Sequence, residues 1–135
     1  MQKLDNQVSK IFSNFEFIAS WLIRIGVGIA FSIHGLGKFP LPPEGLVDYF
    51  GFSPALASLV AISELGAGIL IIIGGFINNS FGNLLTRASA FTIVIIMINA
   101  LAIAHRDWFI NTKLFTSEQI FLLLIGLFFL IKGNK

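Results

Sequence analysis

The sequence predicts an all-α membrane protein, a four-transmembrane-helix up-down bundle with an N-terminal interfacial amphipathic helix. Three observations predict it. The 135 residues are 56% hydrophobic and 12% charged, with a mean hydropathy of +0.87. A soluble domain carries about 25% charged residues, so this chain lacks the polar surface that a water-soluble globule needs. Its apolar residues gather in four runs of roughly 16–23 residues, close to the ~20 that cross ~30 Å of hydrocarbon. The runs are continuous rather than alternating and too long for barrel strands of ~9–11 residues. A backbone in lipid must satisfy its own hydrogen bonds, so the runs are helices.

The elements follow in order within a single domain, 1–135. Over 4–15, Leu4, Val8, Ile11 or Phe12, and Phe15 recur at helical spacing, the pattern of a short helix lying on the membrane surface. The first span is 17–36. Arg24 interrupts its apolar run and no small-residue cleavage site follows, so a cleaved signal peptide is not expected. A long loop, 37–54, comes next. Pro40, Pro42 and Pro43 forbid a regular start, and Glu44 to Phe50 can form one or two helical turns. Unstructured loops of this length are uncommon, so it is expected to fold back as a cap. Pro54 opens the second span, 55–77, as an N1 proline does. Gly74-Gly75 and the 78–83 stretch make a tight connection to the third span, 84–104. Thr116 and Gln119 form a capping-box pattern before the fourth, 117–132. This last span is short, reaching ~24 Å at ~1.5 Å per residue.

There is no cysteine, which removes disulfides, thiolate metal sites, iron–sulfur clusters and dithiol redox centres from this chain. The formal charge of +2 comes from a few Lys and Arg near helix ends. No basic run dense enough for nucleic acid appears, so the excess reads as topology. Lys3, Lys10, Arg87, Lys132 and Lys135 fall on one side of an up-down arrangement, and Lys38, Arg106 and Lys113 on the other. That asymmetry places both termini in the cytoplasm.

Each ionisable residue inside a span costs at least ~2.5 kcal/mol on insertion scales and so needs a partner or a purpose. Helical rise puts Arg24 and Glu64 within reach of each other on consecutive helices, which predicts a structural ion pair between them. Up-down topology gathers His34, Lys38, Glu64, His105 and Glu118 in the outer half of the bundle. A neutral imidazole, an ammonium and a carboxylate at a lipid-accessible boundary can hydrogen-bond the carbonyls of a quinone and exchange its protons. These five are therefore the candidate ligand-binding residues, and His34 and Lys38 lie one turn apart on one helix face. The two histidines lie near helix ends and face no partner across the bundle, so neither haem nor another metal is expected. The plainer readings are snorkelling for Arg87, an interfacial belt for His105-Arg106-Asp107-Trp108, and close helix packing for the glycines.

The sequence resembles the DoxX family of small bacterial and archaeal four-helix membrane proteins. The resemblance runs through Arg24-Ile25-Gly26, Phe31, His34-Gly35, Lys38-Phe39, Leu46 to Phe52, Glu64-Leu65, Gly68 and Ile72 to Gly75. It continues through Thr86-Arg87-Ala88, Met97 to Ala100 and Glu118 to Gly126. The ending at Gly133-Asn134-Lys135 departs from the glycine-rich polar tail common in that family. The resemblance implies a role near membrane redox chemistry, since the family takes its name from a subunit of a thiosulfate:quinone oxidoreductase. The expected function is a membrane subunit of a quinone-linked oxidoreductase, in the cytoplasmic (inner) membrane of a prokaryote. It would work as a homodimer or beside a partner subunit that carries the redox centres. The alternative is a non-enzymatic scaffold, or a protein that binds or transports lipid or small molecules.

Overall fold

A computed structural model describes residues 1–134, and these are predominantly helical, with no strand among them. The helices are α1 (Gln2–Phe12), α2 (Glu16–Leu36), α3 (Glu44–Asp48), α4 (Pro54–Phe76), α5 (Ser80–Asn99), α6 (Lys113–Thr116) and α7 (Glu118–Lys132). Lys135, counted in the charge asymmetry above, lies outside the described residues. Three helical stretches are long and apolar enough to cross a membrane: Gln2–Leu36, Pro54–Phe76 and Ser80–Ala104. The fourth apolar helix, α7, has 15 residues.

The long helices pack in sequence, α2 on α4, α4 on α5 and α5 on α7, while α7 touches α2 lightly. Their shared core takes Val27 and Phe31 from α2, Ile71 from α4, Ile93 from α5 and Leu122 and Phe129 from α7. The outward surface is studded with exposed Leu, Ile and Phe, the face expected of helices solvated by lipid tails.

Small residues set the closest approach. A Cβ on Gly28 would lie 2.8 Å from the Gly68 carbonyl oxygen, and one on Gly68 would lie 2.6 Å from that of Gly28. A Cβ on Gly35 would lie 2.8 Å from Leu65 Cα. The backbones of α2 and α4 therefore touch, as small residues permit between helices in lipid.

Several boundaries differ from the sequence expectation, each for a local reason. The segment expected as a separate surface helix runs into α2 through a 3₁₀ turn at Ser13–Phe15, giving one helical stretch from Gln2 to Leu36. No glycine or proline falls before Gly26 to break it. The third span opens at Ser80 rather than at 84, because the Asn79 side chain accepts from Gly82 N at 3.0 Å and caps the helix there. It ends in a π-helical turn, Ala100–Ala104. The Thr116 capping box does not form: the Thr116 hydroxyl donates back to Thr112 O and Lys113 O, and Ser117 stands at the N-cap of α7. Ser53 caps α4 with Pro54 at its first position.

Candidate functional site

The ionisable residues form three separate groups. The first lies at the end of the molecule that carries the 37–53 loop, called here the loop end. α2 stops at Leu36, and the chain turns through Gly37 N to Ile33 O and Lys38 N to Gly35 O hydrogen bonds. Lys38 thereby leaves the helical period, swings away from the face of His34 and donates its ammonium to Glu64 Oε2 on α4. Glu64 is 4% exposed, so this is a buried carboxylate held by a charged donor.

Lys38 and Glu64 stand at the polar end of a cavity of about 480 Å³. Its walls are otherwise almost wholly apolar. Leu46 and Phe50 come from the loop, Phe52 and Val60 from the approach to and first turns of α4, and Ile96 and Ile103 from the end of α5. Gly51 has φ +67°, a left-handed conformation that glycine adopts without strain, and it turns the chain so that Phe50 and Phe52 both border the cavity. The π-turn of residues 100–104, a distortion common at functional sites, contributes Ala100, Ile103 and Ala104 to the lining. A second hollow of about 610 Å³ is formed by the 37–50 loop and shares Lys38, Leu46 and Phe50 with the first, so Lys38 borders both.

The second group is His34 on α2 and Glu118 on α7, with Nε2 3.0 Å from Oε1. Both side chains are substantially exposed, and the pair bridges two helices that otherwise touch lightly. His105 joins neither group. Its ring stacks on Trp108 at 3.6 Å, beyond the end of the π-turn. The five candidate residues thus resolve into one cavity pair, one surface bridge and one stacked ring. Helical spacing alone could not separate them, because the end of α2 decides which way Lys38 points.

The third group is at the opposite end, and it corrects the expected Arg24–Glu64 ion pair. Arg24 is 3% exposed and bonds no carboxylate among the described residues. Its Nη1 donates to the Ile71 carbonyl at 2.6 Å and to Thr86 Oγ1 at 2.9 Å, and its Nη2 donates to Asn134 Oδ1 at 2.9 Å. The Phe129 ring lies 4.5 Å from the guanidinium carbon. Gly75 makes the approach possible, since a Cβ there would sit 2.7 Å from Arg24 Cδ. Glu64 lies two helical turns beyond Ile71 on α4 and is already engaged by Lys38. The Asn134 amide in turn donates to Gly74 O at 2.7 Å, and its backbone N–H to Asn83 Oδ1 at 3.0 Å. Gly133, with φ +67°, ends α7 and directs Asn134 inward.

Sequence reasoning missed Asn99, Thr86, Asn83 and Asn134. Asn99 is the most exposed to notice, a lone amide in the apolar run from Phe91 to Ala104. It lines the cavity, and its Nδ2 donates to Ile95 O at 2.8 Å. No cluster of three or more metal-ligating side chains occurs among the described residues.

Lipid-exposed apolar helices, a pair of opposite charges at the end of a greasy cavity and a buried guanidinium held by neutral partners at the other end define an integral membrane protein with a ligand-sized hollow. The family model for DoxX matches residues 19–106, more than half of the chain, and the chain belongs to the DoxX family. The match covers the first two groups' residues on α2, α4 and the loop, and stops short of Glu118 and α7. Comparison with curated proteins and with solved structures returned no match.

Proposed function

We propose that this protein is a membrane subunit of a quinone-linked oxidoreductase that holds the polar ring of a quinone or quinol against Lys38 and Glu64. The observation that carries this reading is the charged pair at the end of an otherwise apolar cavity. The fit is chemical. Phe50, Phe52 and Ile96 offer a flat ring apolar surface. Lys38 spends one of three ammonium donors on Glu64 and has others for a ring oxygen, and Glu64 can accept from a ring hydroxyl. A quinone, when bound, supplies two-electron, two-proton redox chemistry. The electrons come from a partner subunit, since a chain without cysteine has no thiol or iron–sulfur carrier of its own.

In the same reading α7 makes a fourth crossing, ~22 Å long and completed by local thinning and by Lys132 reaching the surface. The 35-residue stretch Gln2–Leu36 would extend ~52 Å, so its first turns lie outside ~30 Å of hydrocarbon, with Leu4, Val8, Ile11 and Phe15 at the interface. Both termini face the cytoplasm of a prokaryotic inner membrane.

Titration of the detergent-solubilised protein with a short-tailed benzoquinone tests the reading. Lys38→Met and Glu64→Gln should each weaken binding by about tenfold or more, the worth of a charged hydrogen bond. His34→Ala, which lies off the cavity, should leave it unchanged. No binding to the wild type, or equal binding by all three variants, overturns the reading. A lipid-binding or scaffolding role would then remain for the same pair.

A further inference from the structure

The long helices do not end at one height. Trp21 of α2 packs on Phe76 of α4, 4.5 Å between ring centroids, and Gly35 lies against the Leu65 backbone. α2 therefore stops level with Glu64, while α4 runs ten residues further, to Pro54, or ~15 Å at ~1.5 Å per residue. In all, α4 is ~34 Å long, close to ~30 Å of hydrocarbon. With α4 as a crossing, the Lys38–Glu64 pair stands about half-way down the bilayer and not at its surface. The loop that climbs from this depth back to Pro54 exposes Phe39, Leu41 and Phe50, so its outer side is as apolar as the helices.

The cavity lining follows the two helices in columns. Leu56, Val60 and Glu64 recur every fourth residue on α4 and close inward, from 45% exposed at Leu56 to 4% at Glu64. Ile95, Asn99 and Ile103 recur every fourth residue along α5 and into its π-turn, and all three are exposed. The antiparallel register is set where Gly74 packs on Thr86, since a Cβ on Gly74 would lie 3.0 Å from Thr86 N. Ten residues up α4 from Gly74 is Glu64, and ten residues up α5 from Thr86 is Ile96. Ile95, 43% exposed, is thus next to the level of the charged pair. At that depth the α4 wall is closed and the α5 wall faces hydrocarbon.

We propose that the cavity opens sideways into the bilayer past Ile95, so that its ligand is a neutral-headed molecule with a long hydrocarbon tail, taken from the lipid phase with its ring at Lys38 and Glu64 and its tail left in the membrane. This names the substrate class for the quinone reading given above and rests on it. The depth selects the head: a charged headgroup is heavily penalised there, whereas the ammonium and carboxylate together carry no net charge. The volume selects the route: about 480 Å³ encloses one compact molecule, so a ring fits and a long tail must lie outside.

The experiment uses the full-length protein in lipid nanodiscs and benzoquinones that share one ring and carry no tail, a short tail or a long isoprenoid tail. Affinities are expressed per mole fraction in the lipid, which cancels partitioning. The wild type should bind the whole series within about twofold. Ile95→Trp should weaken the long-tailed ligand by roughly tenfold, the worth of overpacking at the opening, and leave the tail-less ring within about twofold. Gly45→Trp, in the wall of the loop hollow that also borders Lys38 and with open space where its Cβ would go, should change neither. A steep fall of wild-type affinity with tail length overturns the sideways opening and leaves the quinone reading standing. So does an Ile95→Trp variant that weakens both ligands equally or neither, or a long-tailed ligand blocked at Gly45 instead. Failure of the wild type to bind even the tail-less ring overturns both.

Discussion

Arg24 shows how a single residue can be plain in a sequence while its partner is hidden. A guanidinium inside an apolar run announces that something must receive it, and the nearest opposite charge on the next helix is Glu64. The receiving groups are instead neutral: a backbone carbonyl, a hydroxyl and an amide. Thr86 and Asn134 carry no charge, so nothing in their composition marks them, and they lie 62 and 110 residues from Arg24. Lys38 and Glu64 were legible individually for the same reason as Arg24. Their pairing was not, because it depends on α2 stopping at Leu36. Asn134→Ala should lower stability by about 1–3 kcal/mol, since it leaves buried donors on Arg24 and acceptors at Gly74 unmatched. A fall in the thermal unfolding midpoint in detergent, with quinone affinity unaltered, is the expected result. An unchanged midpoint would mean that the amide bonds contribute nothing to the fold.

Among the elements, helix existence was readable from apolar run length, and helix ends were not. The shift in the start of α5 came from one Asn79 side chain, and the loss of the expected cap before α7 came from Thr116 bonding backward. Both are contests between neighbouring polar side chains that run length cannot decide. The α2–α4 contact has the clearest consequence for the site. Gly35 lies against the backbone at Leu65, one residue from Glu64 and three from Lys38. Gly35→Val should force the helices apart, cost about 1–3 kcal/mol by overpacking and lengthen the Lys38–Glu64 contact. Quinone binding should fall along with the thermal midpoint. The same change at Gly26, which has open space where a Cβ would go, should alter neither.

For the whole molecule, the all-helical, membrane-spanning character was legible because bilayer thickness allows few ways to place long apolar runs. The proposed count of four crossings is directly testable, because a chain without cysteine gives clean single-cysteine labelling. Asp5→Cys and Asn79→Cys should react with a membrane-impermeant maleimide only from the cytoplasmic face. Gly45→Cys and Asn111→Cys should react only from the other face. Labelling of positions 79 and 111 from the same side would remove the third crossing, and with it the up-down arrangement that brings α5 to Lys38 and Glu64.

The bond between Arg24 and Asn134 also places the molecule in time. Arg24 enters the bilayer with the first long helix, and the amide that receives its second nitrogen is made 110 residues later. At ~5–20 residues per second, synthesis leaves the guanidinium waiting for some ~5–20 s. During that interval Arg24 must draw on water, lipid headgroups or the insertion machinery for its hydrogen bonds. Native packing at this end can be completed only after residue 134 has emerged from the ribosome.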